Sequence, residues 1–317
     1  METYEDFIKY SLQKVYFYIE SSFWSKLDNN ILHTWLNNFE SLDERYCAAK
    51  LLDRFVYYSE KDTIRLLDFG LNEIILKRYI CKEEISSKFQ LSNKDIIRIK
   101  NVFYEKCAFL PLTSMSNTNV SESSYAIARC LTNDININED KILDNNNLSS
   151  ENLKKINNII IFDDFIGTGN QILNYWNYGK LTLDGKSISP KELKNKFPDI
   201  EIEYFCLVCT EEGLDNFYSE NLNVGLKITF CEKLSSKYKV FGSSSVYFDN
   251  DEVEKCKKTL ENLCAKRNID LLGYNGHDYA IAFHHSMPDT SLPLFYKEEE
   301  FWNPLFKNKK TKKDGYI

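Results

Sequence analysis

The chain has 317 residues, 43% of them hydrophobic, a formal net charge of −7, and nine cysteines scattered from Cys47 to Cys264. That length can bury one large core or two modest ones, and the acidic balance gives no broad electrostatic ground for binding nucleic acid. An odd cysteine count without spacing excludes a disulfide framework, no apolar run approaches the roughly twenty residues of a membrane span, and the amino terminus lacks a signal peptide's basic start, so a soluble cytoplasmic protein is expected.

Residues 1–100 carry helical signals. Phe7, Tyr10, Leu12, Val15, Tyr16 and Ile19 recur at spacings of three and four, and Asp43 to Tyr58 repeats the pattern with Tyr46, Leu51, Phe55 and Val56. Ser92 caps a further helix entering Ile96, Ile97 and Ile99. Two short helices with such a turn share the outline of a DNA-reading helix-turn-helix, but no row of base-contacting residues accompanies it, and a helical bundle is the expectation. After Tyr104 the texture changes to short apolar runs between polar loops, as in alternating strands and helices. Cys107 to Leu112 is the first candidate strand. A Ser/Thr-rich loop follows, and then Ser121-Glu122-Ser123-Ser124 leads into a helix through Tyr125 to Leu131. Asn133 to Ser150, rich in Asn and Asp, reads as a flexible excursion.

The most informative stretch is Ile159-Ile160-Ile161-Phe162-Asp163-Asp164-Phe165-Ile166-Gly167-Thr168-Gly169-Asn170-Gln171. Four large apolar residues in a row suit a strand buried on both faces of a parallel sheet, and the acids mark its carboxyl end, where open α/β sheets place ligands. Gly167 and Gly169 let main-chain N–H groups approach an anion, Thr168 and Asn170 add side-chain donors, and a helix starting near Asn170 would aim its positive end at the same place. Read without function, the same segment is a buried strand whose acids and glycines cap the next helix. It also has the outline of a Walker B strand. No glycine-rich loop ending in Gly-Lys-Ser/Thr precedes it, however, and Asp184-Gly185 in the later Gly-Lys-Ser is an ordinary turn between Leu183 and Ile188. The haloacid-dehalogenase pattern needs acids separated by one residue, and here they are adjacent.

Further on, Ser189-Pro190 opens a short helix, and Ile200 to Thr210 and Leu226 to Cys231 read as strands. A helix from about Asp251 to Lys266 leads to another strand at Tyr279 to Phe283. Cys206 and Cys209 lie three apart on a strand and should face opposite sides of the sheet, so they make a poor chelate and are expected in the core. Three of the four histidines fall between Gly273 and Ser286. His284 and His285 are candidate site residues expected at the same sheet edge as the acids. Their alternation argues against both binding one metal, and their plain reading is polar groups at a strand end. No metal-ligand set is identified in the chain. The end, Lys307 to Lys313, is a basic tail, ordinarily just solvated.

The central motif resembles the ribose-phosphate site of type I phosphoribosyltransferases: apolar residues, two acids, two apolar residues and a Thr/Gly-rich loop. The block from Gly273 through Pro288 to Trp302 resembles the ending of a bacterial PRTase-CE-like branch of that family, found in conflict and antiviral-defence loci and associated with retrons. The resemblance covers about residues 100 to 306. It implies an α/β fold, a Rossmann-like phosphoribosyltransferase core with a mostly parallel sheet. The corresponding division is a helical region over 1–100, the α/β domain over 101–306 and the tail over 307–317. It implies that Asp163 and Asp164 meet the hydroxyls of phosphoribosyl diphosphate, or of a related nucleotide or ribose-phosphate, and are the catalytic pair if the protein turns over. Gly167, Thr168, Gly169, Asn170 and Gln171 would wrap the 5′-phosphate, with Ser121 and Arg129 near the diphosphate and Mg2+ carried by the diphosphate itself. An active protein would be a glycosyltransferase, a nucleotide-targeting effector in antiviral defence. Gln171 stands where the usual motif ends in a hydroxyl residue, which favours an alternative: a catalytically inactive sensor or regulatory subunit whose helical region docks a defence-system partner. Direct nucleic-acid or membrane binding is not implied.

Overall fold

The computed structural model describes residues 3–112, 122–220 and 225–307. Two compact units divide the chain, Met1–Glu60 with Ser235–Ile317 and Lys61–Leu234. This differs from the division expected at residue 100. The helices after residue 60 belong with the α/β unit, and the carboxyl-terminal residues from 235 belong with the amino-terminal helices. The basic tail from 308 onward lies outside the described residues.

The chain opens in the first unit with α1 (Tyr4–Glu20), α2 (Asn29–Leu36) and α3 (Leu42–Asp53), each begun by a capping side chain, Thr3, Asp28 and Ser41. These caps satisfy N–H groups that the first helical turn leaves unpaired. The helix expected over Asp43 to Tyr58 ends at Asp53, and Val56–Tyr58 forms a strand, β1. Phe55 to Tyr58 is β-branched and aromatic, so local strand preference overrides the helical spacing there.

In the second unit α4 (Glu60–Phe69), a π-helical segment over Gly70–Leu76, α5 (Lys77–Ser86) and α6 (Asn93–Glu105) precede the sheet. Ser92 and Asp95 close a capping box on α6, as the sequence predicts. The remaining elements follow in the order β2 (Cys107–Pro111), α7 (Glu122–Asn133), α8 (Ser150–Leu153), β3 (Asn158–Ile166), α9 (Asn170–Tyr178), the hairpin β4 (Leu181–Leu183) and β5 (Lys186–Ile188), α10 (Pro190–Lys196), β6 (Glu201–Thr210), α11 (Glu211–Glu220) and β7 (Lys227–Leu234). The four-stranded sheet runs β2-β3-β6-β7, parallel throughout. Parallel strands require crossovers, and the helices between them supply these. Ile159, Ile161, Tyr204 and Cys206 join Ile172, Trp176 and Phe217 in one apolar cluster, while the alternate residues Ile160, Phe162 and Phe205 are just as buried. Both faces of the sheet are therefore covered, which is why its strands read as unbroken apolar runs.

The segment read as a flexible excursion is instead built onto this sheet. Leu143 N donates to Phe109 O at 2.8 Å, and the buried Asn145 donates to Pro111 O at 3.0 Å and accepts from Tyr175 Oη at 3.2 Å. Asn145 is the buried polar side chain that satisfies a sheet-edge carbonyl here, while most of the segment's other Asn and Asp residues are exposed. The chain then returns to the first unit with α12 (Val253–Lys266) and β8 (Ile281–Phe283), and β8 pairs in parallel with β1. That strand is not part of the four-stranded sheet, contrary to the single-sheet expectation. Among the described residues no helix is long and apolar enough to cross a membrane.

Candidate functional site

β3 ends at the carboxyl edge of the sheet, and its pairing with β6 lapses opposite Asp164, between Asp163–Cys206 and Phe165–Val208. Beyond that lapse Ile166 and Cys209 share a cluster with Ile159, Ile161 and Cys206, so strand alternation changes phase at the two acids. The same shift corrects the expectation for the C-x-x-C pair. Cys206 and Cys209 are both buried in one cluster, and burial together with the neighbouring Cys209 thiol pushes the Cys206 thiol up.

Both acids are buried, Asp164 at 5% exposure. Asp163 is 2% exposed, and its Oδ1 accepts from Ser123 Oγ at 3.0 Å, Ser124 Oγ at 3.3 Å and the Asp164 N–H at 3.0 Å; its Oδ2 accepts from Tyr204 Oη at 3.3 Å. Burial first, and then the adjacent Asp164 carboxylate, push the Asp163 carboxyl well above the ordinary carboxylate range. Burial and Asp163 likewise raise the Tyr204 phenol. Asp163 is thus engaged on both oxygens by protein donors. Ser123 and Ser124, in the first turn of α7, serve this carboxylate.

The loop after β3 is anchored through its carbonyls. Thr210 Oγ1 donates to Gly167 O at 2.6 Å, and Asn216 Nδ2 donates to Thr168 O at 2.7 Å and to Asn170 Oδ1 at 3.0 Å. Asn170 N–H turns back to Thr168 Oγ1 at 3.2 Å, and Leu173 N–H donates to Gly169 O at 3.2 Å. The amides of Gly167, Thr168, Gly169, Gln171 and Ile172 meet no protein acceptor among the described residues, and α9 has no capping side chain. Gly169 is the N-cap at φ 77, and a Cβ there would lie 2.4 Å from Gly213 O. Only glycine combines that left-handed backbone with so close an approach. Amides without a protein acceptor at a helix start, backed by the positive end of the dipole, are the kind of group that attracts an anion.

The other predicted residues are dispersed. Ser121 and the Ser/Thr-rich loop before it lie outside the described residues. Arg129 is exposed on α7, almost two turns or about 9 Å along the helix from Ser123. His284 and His285 belong to the first unit and follow β8, so the expected common sheet edge with the acids does not exist. Because they lie past the last strand residue, alternation does not separate their rings, and the two Nδ1 atoms approach to 3.4 Å. Among the described residues no group of three or more His, Cys, Asp or Glu could hold a metal ion. Sequence reasoning missed Tyr204, Thr210, Gly213 and Asn216. Thr210 donates to the loop while accepting from Gly213 N–H at 2.9 Å, and this Thr-x-x-Gly cap at the end of a strand was the available signal.

A family model, PRTase-CE, matches residues 32–308. It reaches back well beyond residue 100, into the helices that the resemblance had left out. Among solved structures, the xanthine-guanine-hypoxanthine phosphoribosyltransferase of Helicobacter pylori is similar at 9% identity and a TM-score of 0.26, covering 57% of this chain and 84% of that one. The orotate phosphoribosyltransferase of Aeropyrum pernix is similar at 11% identity and a TM-score of 0.23, covering 42% of this chain and 62% of that one. No curated protein matches the chain in sequence.

Proposed function

The chain belongs to the PRTase-CE family, and from that premise we propose that it binds phosphoribosyl diphosphate or a related ribose-phosphate in the loop between β3 and α9. The observation that carries this reading is the division of labour in the loop: carbonyls held by Thr210 and Asn216, amides left for an anion. A phosphate monoester at that place would meet the amides of Gly167 to Gln171 and the start of α9. In this reading the sugar hydroxyls lie at the strand end that carries Asp163 and Asp164. Magnesium enters as a companion of the ligand's diphosphate. In an active protein the groups that hold the diphosphate would favour its departure as positive charge develops on the ribose ring.

The exposed Gln171 favours binding without turnover as the second reading. A nucleotide-targeting role in defence rests on the family resemblance alone. Calorimetry with phosphoribosyl diphosphate and Mg2+, followed by pyrophosphate release in the presence of nucleobases, tests the proposal. Binding with release identifies a transferase, and binding without release with any base identifies a sensor. If neither phosphoribosyl diphosphate nor ribose 5-phosphate binds at millimolar concentration, the proposal is wrong.

A further inference from the structure

The contacts between the loop and the elements that follow it define a role outside the motif. Gly167 C=O is held by Thr210, and Thr168 C=O by Asn216, at 2.6 and 2.7 Å. No peptide bond among the described residues is cis. In a planar trans peptide the N–H of one residue points away from the C=O of the residue before it. Drawing these two carbonyls toward Thr210 and Asn216 therefore turns the Thr168 and Gly169 amides to the opposite side. Asn216 also fixes the Asn170 side chain: with Oδ1 committed to Asn216 Nδ2 at 3.0 Å, Asn170 directs its own Nδ2 elsewhere as a donor. Thr210 is tied in turn to the start of α11 by Gly213 N–H, and a Cβ on Gly213 would lie 2.2 Å from Gly167 O. The β6–α11 turn and the loop are thus seated backbone against backbone.

We infer that Thr210 and Asn216 are positioning residues that hold the β3–α9 loop with its donors turned outward, so that affinity for a phosphate monoester is set by residues beyond the motif. This rests on the proposed ribose-phosphate reading. Asn216→Asp is nearly isosteric but cannot donate to Thr168 O. It also requires Asn170 to reverse its amide and present Oδ1, an acceptor, in place of a donor. Thr210→Val removes the hydroxyl at similar size, whereas Thr210→Ser retains it.

The test compares binding of ribose 5-phosphate and of ribose by the full chain and these variants, with amide hydrogen exchange at Leu173, whose N–H is bonded to Gly169 O. The expected result is a tenfold or greater loss of ribose 5-phosphate affinity in Asn216→Asp and Thr210→Val, near wild-type binding in Thr210→Ser, and faster Leu173 exchange in the first two variants alone. Wild-type affinity in Asn216→Asp overturns the inference. So does a Thr210→Ser variant as weak as Thr210→Val, because the residue would then act through packing and not through its hydroxyl. If the wild type binds neither ribose 5-phosphate nor phosphoribosyl diphosphate, the ribose-phosphate reading falls, and the exchange data decide the positioning role: unchanged exchange in Asn216→Asp rejects it, faster exchange upholds it.

Discussion

Gly169 and Gly185 make a matched pair for measuring how tightly the loop is seated. Both have left-handed backbones, at φ 77 and φ 78, but a Cβ on Gly169 would lie 2.4 Å from Gly213 O whereas one on Gly185 would meet nothing within 4 Å. Alanine at either position incurs the left-handed penalty, about 1–2 kcal/mol. Gly169→Ala must also drive apart two backbones already tied by Thr210 and Asn216, a form of overpacking that costs about 1–3 kcal/mol more. The expected totals are about 1–2 kcal/mol for Gly185→Ala and about 2–5 kcal/mol for Gly169→Ala. In a unit of this size each kcal/mol moves the unfolding midpoint by roughly 2–4 °C. Thermal unfolding followed through Trp176, fully buried in the same unit, reads the difference. Ribose 5-phosphate affinity should fall at least tenfold in Gly169→Ala and stay unchanged in Gly185→Ala. Equal destabilisation by the two substitutions, or unimpaired ligand binding in Gly169→Ala, would refute the close-seating argument.

Three further outcomes are expected. Asp163 has its folded pKa raised above the ordinary 3.8, so its contribution to stability is full below that value and is lost as pH rises through the folded pKa. Asp163→Asn should remove that decline, and unfolding midpoints of wild type and variant that stay parallel from acid to neutral pH would contradict it. Arg78 holds Glu203 through both carboxylate oxygens at 2.6 and 2.7 Å, joining α5 to the sheet with both side chains largely buried. Arg78→Ala should destabilise the unit by about 1–3 kcal/mol in a urea melt, less than for a fully buried pair, and an unchanged midpoint would show the pair to be inconsequential. In native thiol labelling the exposed Cys81 should react first, while Cys206 and Cys209 stay inert until unfolding; early modification of either would contradict their burial.

Much of the α/β unit was legible along the chain because its signals are local. The run of isoleucines before Asp163 announces a strand covered on both faces, Ser92 and Ser189 announce helix starts, and Asp184-Gly185 announces a hairpin turn. The segment between Asn133 and Ser150 was misjudged because asparagine is equally at home in solvent and in bonding sheet-edge carbonyls, and only the neighbour across the edge distinguishes the two. His284 and His285 were misplaced for a related reason. A short apolar run reveals that a strand exists but not which strand it will pair with, and β8 chose β1.

Residue chemistry and spacing alone specify the acidic strand end, the glycine loop and the helix behind it, since each depends on backbone preferences within a few positions of itself. The burial of Asp163 among Ser123, Ser124 and Tyr204, the outward-turned amides and the grip of Thr210 and Asn216 arise only when segments distant in the chain meet. Hydrogen-bond partners and burial are properties of neighbours in space, and folding alone brings those neighbours together.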